Sequence, residues 1–150
     1  MLNKPLIEKL VALDKLTPST KQLWGKMSPQ HMVEHLILTV ESSNGKLNVT
    51  FYGEPEKIPS LRRFLLSSRP FPKGFISPII GEDLLPLRYG GLDEAKSILK
   101  KEVADYYTFF ESSPNAVFVN PTFGELNKSE WDVFHQKHFT HHFQQFGIDS

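Results

Sequence analysis

The feature that most constrains this chain is its last helical stretch, from Ser129 to Phe146. At about 100° per residue, Trp131, His135, His138, His142 and Phe146 fall within one sector of about 80°. A stripe that carries Trp and Phe faces a core, and imidazoles buried there need partners. His141 lies about 100° from His142 and by the same geometry points elsewhere. Ser129 is the expected N-cap and Gly147 the expected stop.

Three further helices are legible. The first is expected over Asn3 to Leu16, where Leu6, Leu10 and Leu13 recur at helical spacing and Pro5 fits the first turn. Thr17-Pro18 ends it. The second starts at Ser28-Pro29, a capping residue followed by a proline suited to the first helical position, and runs to about Ser43 before Asn44-Gly45. Met32, Val33, Leu36, Ile37 and Val40 form its apolar face. The third runs from Asp93 to Ser112 with Ile98, Leu99, Val103, Tyr106 and Phe110 inward. Between the second and third, residues 44–91 are irregular. Leu47 to Phe51 alternates like a short strand or extended arm, and Ser60 to Ser68 suits a short helix. The many Pro and Gly residues that follow oppose long elements. Phe71, Phe75, Ile76, Ile79, Ile80, Leu84 and Leu85 should therefore pack as a cover over the core. Residues 115–125 read as a connector. The expected fold is all-α: one domain over residues 1–150, an antiparallel four-helix bundle with a long irregular crossover between helices 2 and 3.

Composition narrows the chemistry. Lys plus Arg and Asp plus Glu are 17 each, so the net charge is zero and no general attraction to nucleic acid or anionic membrane is expected. Cysteine is absent, which excludes disulfides, thiolate ligands and a cysteine nucleophile. No apolar run approaches a membrane span, and charges interrupt the first residues as they would not in a signal peptide. A cytoplasmic protein is expected. Phosphate-binding loops, dinucleotide fingerprints and nucleophile elbows are lacking. Gly90-Gly91 reads as a turn and helix cap, and Arg62-Arg63 and Lys100-Lys101 as solvated basic pairs.

Six histidines remain to be explained, and they include two H-x-x-x-H pairs, His31/His35 and His138/His142. Residues four apart stack on a helix and can converge on one ion. His31 sits nearly opposite the apolar face of its helix, whereas His35 lies at the edge of that face. His35, His138 and His142 would supply three neutral nitrogens from two facing helices and leave coordination positions open. Spacing alone leaves the other reading standing, in which these histidines are packed or solvated side chains. Phe139 occupies the place where a zincin motif has its Glu.

Two segments carry a family resemblance. The first is Leu23-Trp24-Gly25-Lys26-Met27-Ser28, running on to Glu34-His35-Leu36. The second is Asn120-Pro121-Thr122-Phe123-Gly124, followed by Glu130-Trp131 and by His138 to Gly147 with its H-H-x-x-Q-F-G ending. Together they resemble the DinB/YfiT-like superfamily of metalloenzymes, in its branch with W-G-K-M-S before the first His. The resemblance implies a four-helix bundle and a divalent metal, often nickel or zinc, held by three His. By motif these are His35, His138 and His142, with Gln145 matching a Gln common three positions after the last ligand. Asn120 departs from the branch, where many relatives have His. Trp24, His31, Asn120, Trp131, His135 and Gln145 are expected around the pocket, and no residue is assigned as catalytic.

The resemblance implies a hydrolase or a thiol S-transferase using a low-molecular-weight thiol. The alternatives are a non-catalytic metal- or ligand-binding protein and a dimeric structural bundle. Glu34 and Glu41 read as solvated carboxylates rather than as a general base. Residues 68–87 are the expected surface for a homodimer, with a cover over the metal pocket as their competing use.

Overall fold

A computed structural model describes residues 4–73 and 84–149. Its described part is mostly helical, with α1 (Pro5–Lys9), α2 (Pro29–Glu41), α3 (Ile58–Leu66), α4 (Leu92–Ser112) and α5 (Lys128–Gln145). A small antiparallel sheet joins β1 (Phe118–Asn120) to β2 (Gly124–Leu126). No described helix is long and apolar enough to cross a membrane.

The first helix differs from the expected single α-helix. After Lys9 the chain tightens into a 3-10 helix over Leu10–Lys15. Leu6, Leu10, Leu13 and Leu16 are all buried, so the tighter winding keeps the leucines directed inward while Thr17-Pro18 ends the segment. The Tyr107 hydroxyl accepts from the Leu6 amide at 3.1 Å and satisfies one donor of the first turn.

Both helices that bear the inward histidines begin with reciprocal caps. At α2 the Ser28 hydroxyl accepts from the His31 amide, and the His31 ring receives the Ser28 amide in return. At α5 the cap is Asn127, not Ser129. Asn127 Oδ1 accepts from the Glu130 amide at 3.0 Å, and Glu130 Oε1 accepts from the Asn127 amide at 3.0 Å. Ser129 supports this cap by donating to Asn127 Oδ1. At the other end of α5, the Gly147 and Ile148 amides turn back onto the carbonyls of Gln144 and Phe143.

The connector at 115–125 is a hairpin, and that refines the all-α expectation. Asn120 Oδ1 accepts from the amides of Thr122 and Phe123, which closes the turn. Gly124 has φ +79° and lies against Ile58, where an added Cβ would sit 2.9 Å from Cδ1. Leu47 to Phe51 joins no ladder, although the Tyr52 amide bonds to the Pro121 carbonyl.

Packing builds the core from α2 against α4, with α1 on α4 and α5, and α3 on α5. Arg62 on α3 pairs with Glu130 at 3.0 Å and donates to the Glu125 carbonyl, so it is a clamp rather than a solvated charge. Of the apolar residues expected to cover the core, Phe71 is buried, whereas Leu84 and Leu85 are each 37% exposed. Phe75, Ile76, Ile79 and Ile80 lie outside the described residues.

Replacing Asn127 with Ala removes an acceptor that the first turn of α5 uses. Asn127→Ala should cost about 1 kcal/mol in urea unfolding, with Ser129→Ala costing clearly less. Equal losses would contradict the assigned cap.

Candidate metal centre

His35 projects from α2 toward one turn of α5, where it meets His138 and His142. The His35 and His138 Nε2 atoms are 2.9 Å apart, and those of His138 and His142 are 3.1 Å apart. All three rings are buried, at 3%, 1% and 6% exposure. Nitrogens bound to one zinc at about 2.0–2.1 Å lie about 3.0–3.4 Å from each other, so the spacing is close to that of a shared ion.

Protons alone cannot satisfy this arrangement. Gln145 Nε2 donates to the Trp24 carbonyl at 3.0 Å, which leaves Gln145 Oε1 as acceptor for His142 Nδ1 at 2.8 Å. The neutral His142 ring thus holds its proton on Nδ1 and presents a bare Nε2 lone pair to the cluster. His138 Nε2 faces two nitrogens and carries at most one proton. One Nε2 is left without a hydrogen bond in any neutral arrangement, and a divalent cation would satisfy all three at once. The His35 and His138 protons would then sit on buried Nδ1 atoms that have no hydrogen-bond partner among the described residues, and only His142 is supported from behind, by Gln145. His35, His138 and His142 form the metal-capable group among the described residues.

Burial also keeps the lone pairs available. Desolvation holds the His35 and His138 rings well below the ordinary imidazole range, with neighbouring imidazoles adding to the effect. Desolvation takes His142 down to about 3, against the opposing hydrogen bond that its Nδ1–H donates to Gln145 Oε1. A cation here would meet neutral ligands without first displacing protons at neutral pH.

The loop before α2 is built onto the end of α5. Besides the Trp24–Gln145 contact, the Leu23 amide donates to the Gln145 carbonyl at 2.7 Å. Gly25 has φ +83°, and an added Cβ would lie 2.7 Å from Gln145 Nε2. Gly25 therefore lets the backbone approach the amide that orients His142. Residue-by-residue reading missed this role, because the signal lay only in the pairing of the Trp24-Gly25 segment with Gln145.

The other expected pocket residues fall in different places. Trp24 sets its ring edge against His141, at 5.7 Å between centroids, beneath the Lys73 ammonium. His141 is buried too, although it lies off the stripe, and its hydrogen bond to the Phe71 backbone carbonyl partly counters its desolvation. His135 stacks on Trp131 and contacts the Ser43 hydroxyl at 2.8 Å, one turn from the cluster. Burial pushes His135 to about 3. Asn120 serves the hairpin turn and His31 the cap of α2.

Glu34 is buried, contrary to the expected solvated carboxylate. Its Oε1 accepts from the Arg88 amide at 2.6 Å, and its Oε2 accepts from the Tyr89 amide and Gln30. Glu41 pairs with the Arg88 guanidinium at 3.1 Å. These bonds hold the 84–89 segment beside α2 and enclose a cleft next to His35. Met27, Leu38, Leu84, Leu85 and Pro86 wall it, and His31, Glu34 and Arg88 contribute its other polar groups.

Residues 91–148 match a family model described as a protein of unknown function, DUF1569. That span contains His138 and His142 but not His35. No curated protein and no solved structure matches the chain.

Two outcomes follow. Gly25→Ala and Gln145→Leu should each weaken zinc binding about 10–100-fold by releasing His142, measured by competition with a chromogenic chelator. Unchanged affinity in both would remove Gln145 from the site. The second concerns pH. His135 and His142 titrate near 3 when folded and near 6.5 when unfolded, so the unfolded chain binds more protons between these values. Stability of the chelator-treated protein is therefore full above about pH 6.5 and falls as pH drops, by about 1.4 kcal/mol per unit for each such group. Urea midpoints at pH 7.5, 6.5 and 5.5 test this, and a flat profile would contradict it.

Proposed function

We propose that this chain is a metal-dependent enzyme of the DinB/YfiT-like kind, acting on a small molecule at a divalent ion held by His35, His138 and His142. The reading rests on the convergence of three desolvated Nε2 atoms, one of which Gln145 leaves as a bare lone pair. Nickel and zinc both suit an all-imidazole donor set. The four-helix bundle is taken as α1 with its 3-10 extension, α2, α4 and α5, with the crossover between α2 and α4. Contacts of α2 with α4 and α5, and of α1 with the same two helices, support it.

Bound by three neutral ligands, such an ion keeps its positive charge and open positions, and supplies Lewis acidity toward water, a carbonyl oxygen or a thiolate. The chain's own groups define the rest. Gln145 orients His142, and the apolar walls beside His35 exclude water from one side of a ligand. Glu34 takes two backbone amides and Gln30 on its two oxygens, which commits it to holding the 84–89 segment rather than to a base role. A bound divalent ion would lower the pKa of water toward about 7 and would hold a thiol as its thiolate, so neither nucleophile needs a dedicated base. Hydrolysis and transfer to a low-molecular-weight thiol both fit such a site.

Elemental analysis of untagged protein tests the site. About one equivalent of zinc or nickel should be present in the parent and lost in His138→Ala. Metal below about a tenth of an equivalent after loading and desalting would overturn the reading. With metal present, nitrophenol release from p-nitrophenyl hexanoate should be well above that of His138→Ala. Release that rises with added cysteine is transfer to the thiol, and release that ignores the thiol is hydrolysis.

A further inference from the structure

We propose that His31 contacts the substrate of this site, its Nε2–H donating to an oxygen acceptor on a small acid derivative (an ester, thioester or amide) seated in the cleft beside His35. This rests on the metal-enzyme reading above.

The cap of α2 sets which nitrogen of His31 carries the proton. Ser28 Oγ accepts from the His31 amide at 3.1 Å, so its own proton is available to the His31 ring, where Nδ1 lies 2.6 Å away. The Ser28 amide also points at Nδ1, at 3.4 Å. With two donors directed at it, Nδ1 is an acceptor, and the neutral ring carries its proton on Nε2. No described residue accepts that proton. His31 is one helical turn before His35, and both line the same cleft.

The other polar groups of the cleft restrict what fits. Glu34 already takes three donors and is buried, so the free polar groups that the lining turns to a ligand are chiefly hydrogen-bond donors. His31 supplies a neutral N–H, and Arg88, tied to Glu41 through Nη1, adds a cation at the rim. The walls of Leu38, Leu84, Leu85 and Pro86 are apolar. The cleft measures about 30 Å³, room for the carbonyl and first carbons of an acid derivative, and the rest of a short hydrocarbon chain lies along the half-exposed Leu84 and Leu85 at its rim. The carbonyl oxygen meets a fixed donor, and the chain meets the leucines.

Calorimetric titration of zinc-loaded protein with acetohydroxamic and hexanohydroxamic acids tests this, with metal content measured on each sample. These probes place an acyl oxygen at the metal. His31→Glu keeps an acceptor for Ser28 in the same capping position and removes the donor, whereas His31→Ala removes both without adding charge. Both variants should bind hexanohydroxamate at least tenfold more weakly than the parent at unchanged zinc content. The parent should prefer the longer probe at least tenfold. If His31→Glu binds within twofold of the parent, His31 is a cap only. Loss in His31→Glu alone, with His31→Ala like the parent, would be charge repulsion and would equally overturn the contact. Absence of a chain-length preference would overturn the apolar seat. A parent that takes up no zinc would fail at the metal measurement and overturn the enzyme reading itself.

Discussion

The approach of α2 to the last turns of α5 governs this molecule, because it places three imidazole nitrogens where water cannot solvate them. Two of these imidazoles, His138 and His142, stand on one helix and are held by local geometry. The third must come from a separate element at the right height and rotation. The reciprocal cap at Ser28 sets where α2 begins, and Met32, Val33, Leu36 and Ile37 set which face turns inward. His35 then has little choice of position. The cost of burying polar rings is offset only when their lone pairs share a proton or a cation, so packing and ligand chemistry cannot be separated here.

Around that contact the chain uses long-range polar bonds to hold short irregular segments. Gln145 ties α5 to the Trp24 carbonyl, and Glu34 ties α2 to the amides of Arg88 and Tyr89. Glu34 adjoins His35 in sequence, and Gln145 follows His142 by three residues. The loop and the cleft wall are thus anchored to the same two helix turns that carry His142 and His35. A displacement of the loop would reach His142 through the two hydrogen bonds of Gln145, and one of the cleft wall would reach His35 through the backbone of α2.

Much of this was legible in the sequence where period and composition act locally. The stripe on α5, the His138/His142 spacing and the offset between His31 and His35 on α2 point to the three converging rings, because helical angles survive folding unchanged. The stripe equally holds His135, however, which the structure sets against Ser43 and Trp131. Helix ends were less secure. Ser129 competes with Asn127 as a cap two residues away, and only the reciprocal bond with Glu130 decides between them. The hairpin was hidden because three-residue strands carry no readable alternation. The burial of Glu34 was hidden for another reason. Its partners are backbone amides, which every residue but proline possesses and which leave no mark in a sequence. Gly25 needed knowledge of Gln145, which lies far away along the chain.

The separation of the ligands bears on how the protein is made. His35 and His138 are 103 residues apart, and the second helix must wait for the fifth. While the polypeptide is being synthesised, the early part can form helices and bury leucines, yet it lacks a complete set of nitrogens for a cation. Bringing such distant residues together is an entropic task that local structure cannot shortcut. Any ion that selects the folded cluster therefore acts only after the chain has been made past His142, drawing it by mass action toward the native state once both helices are present.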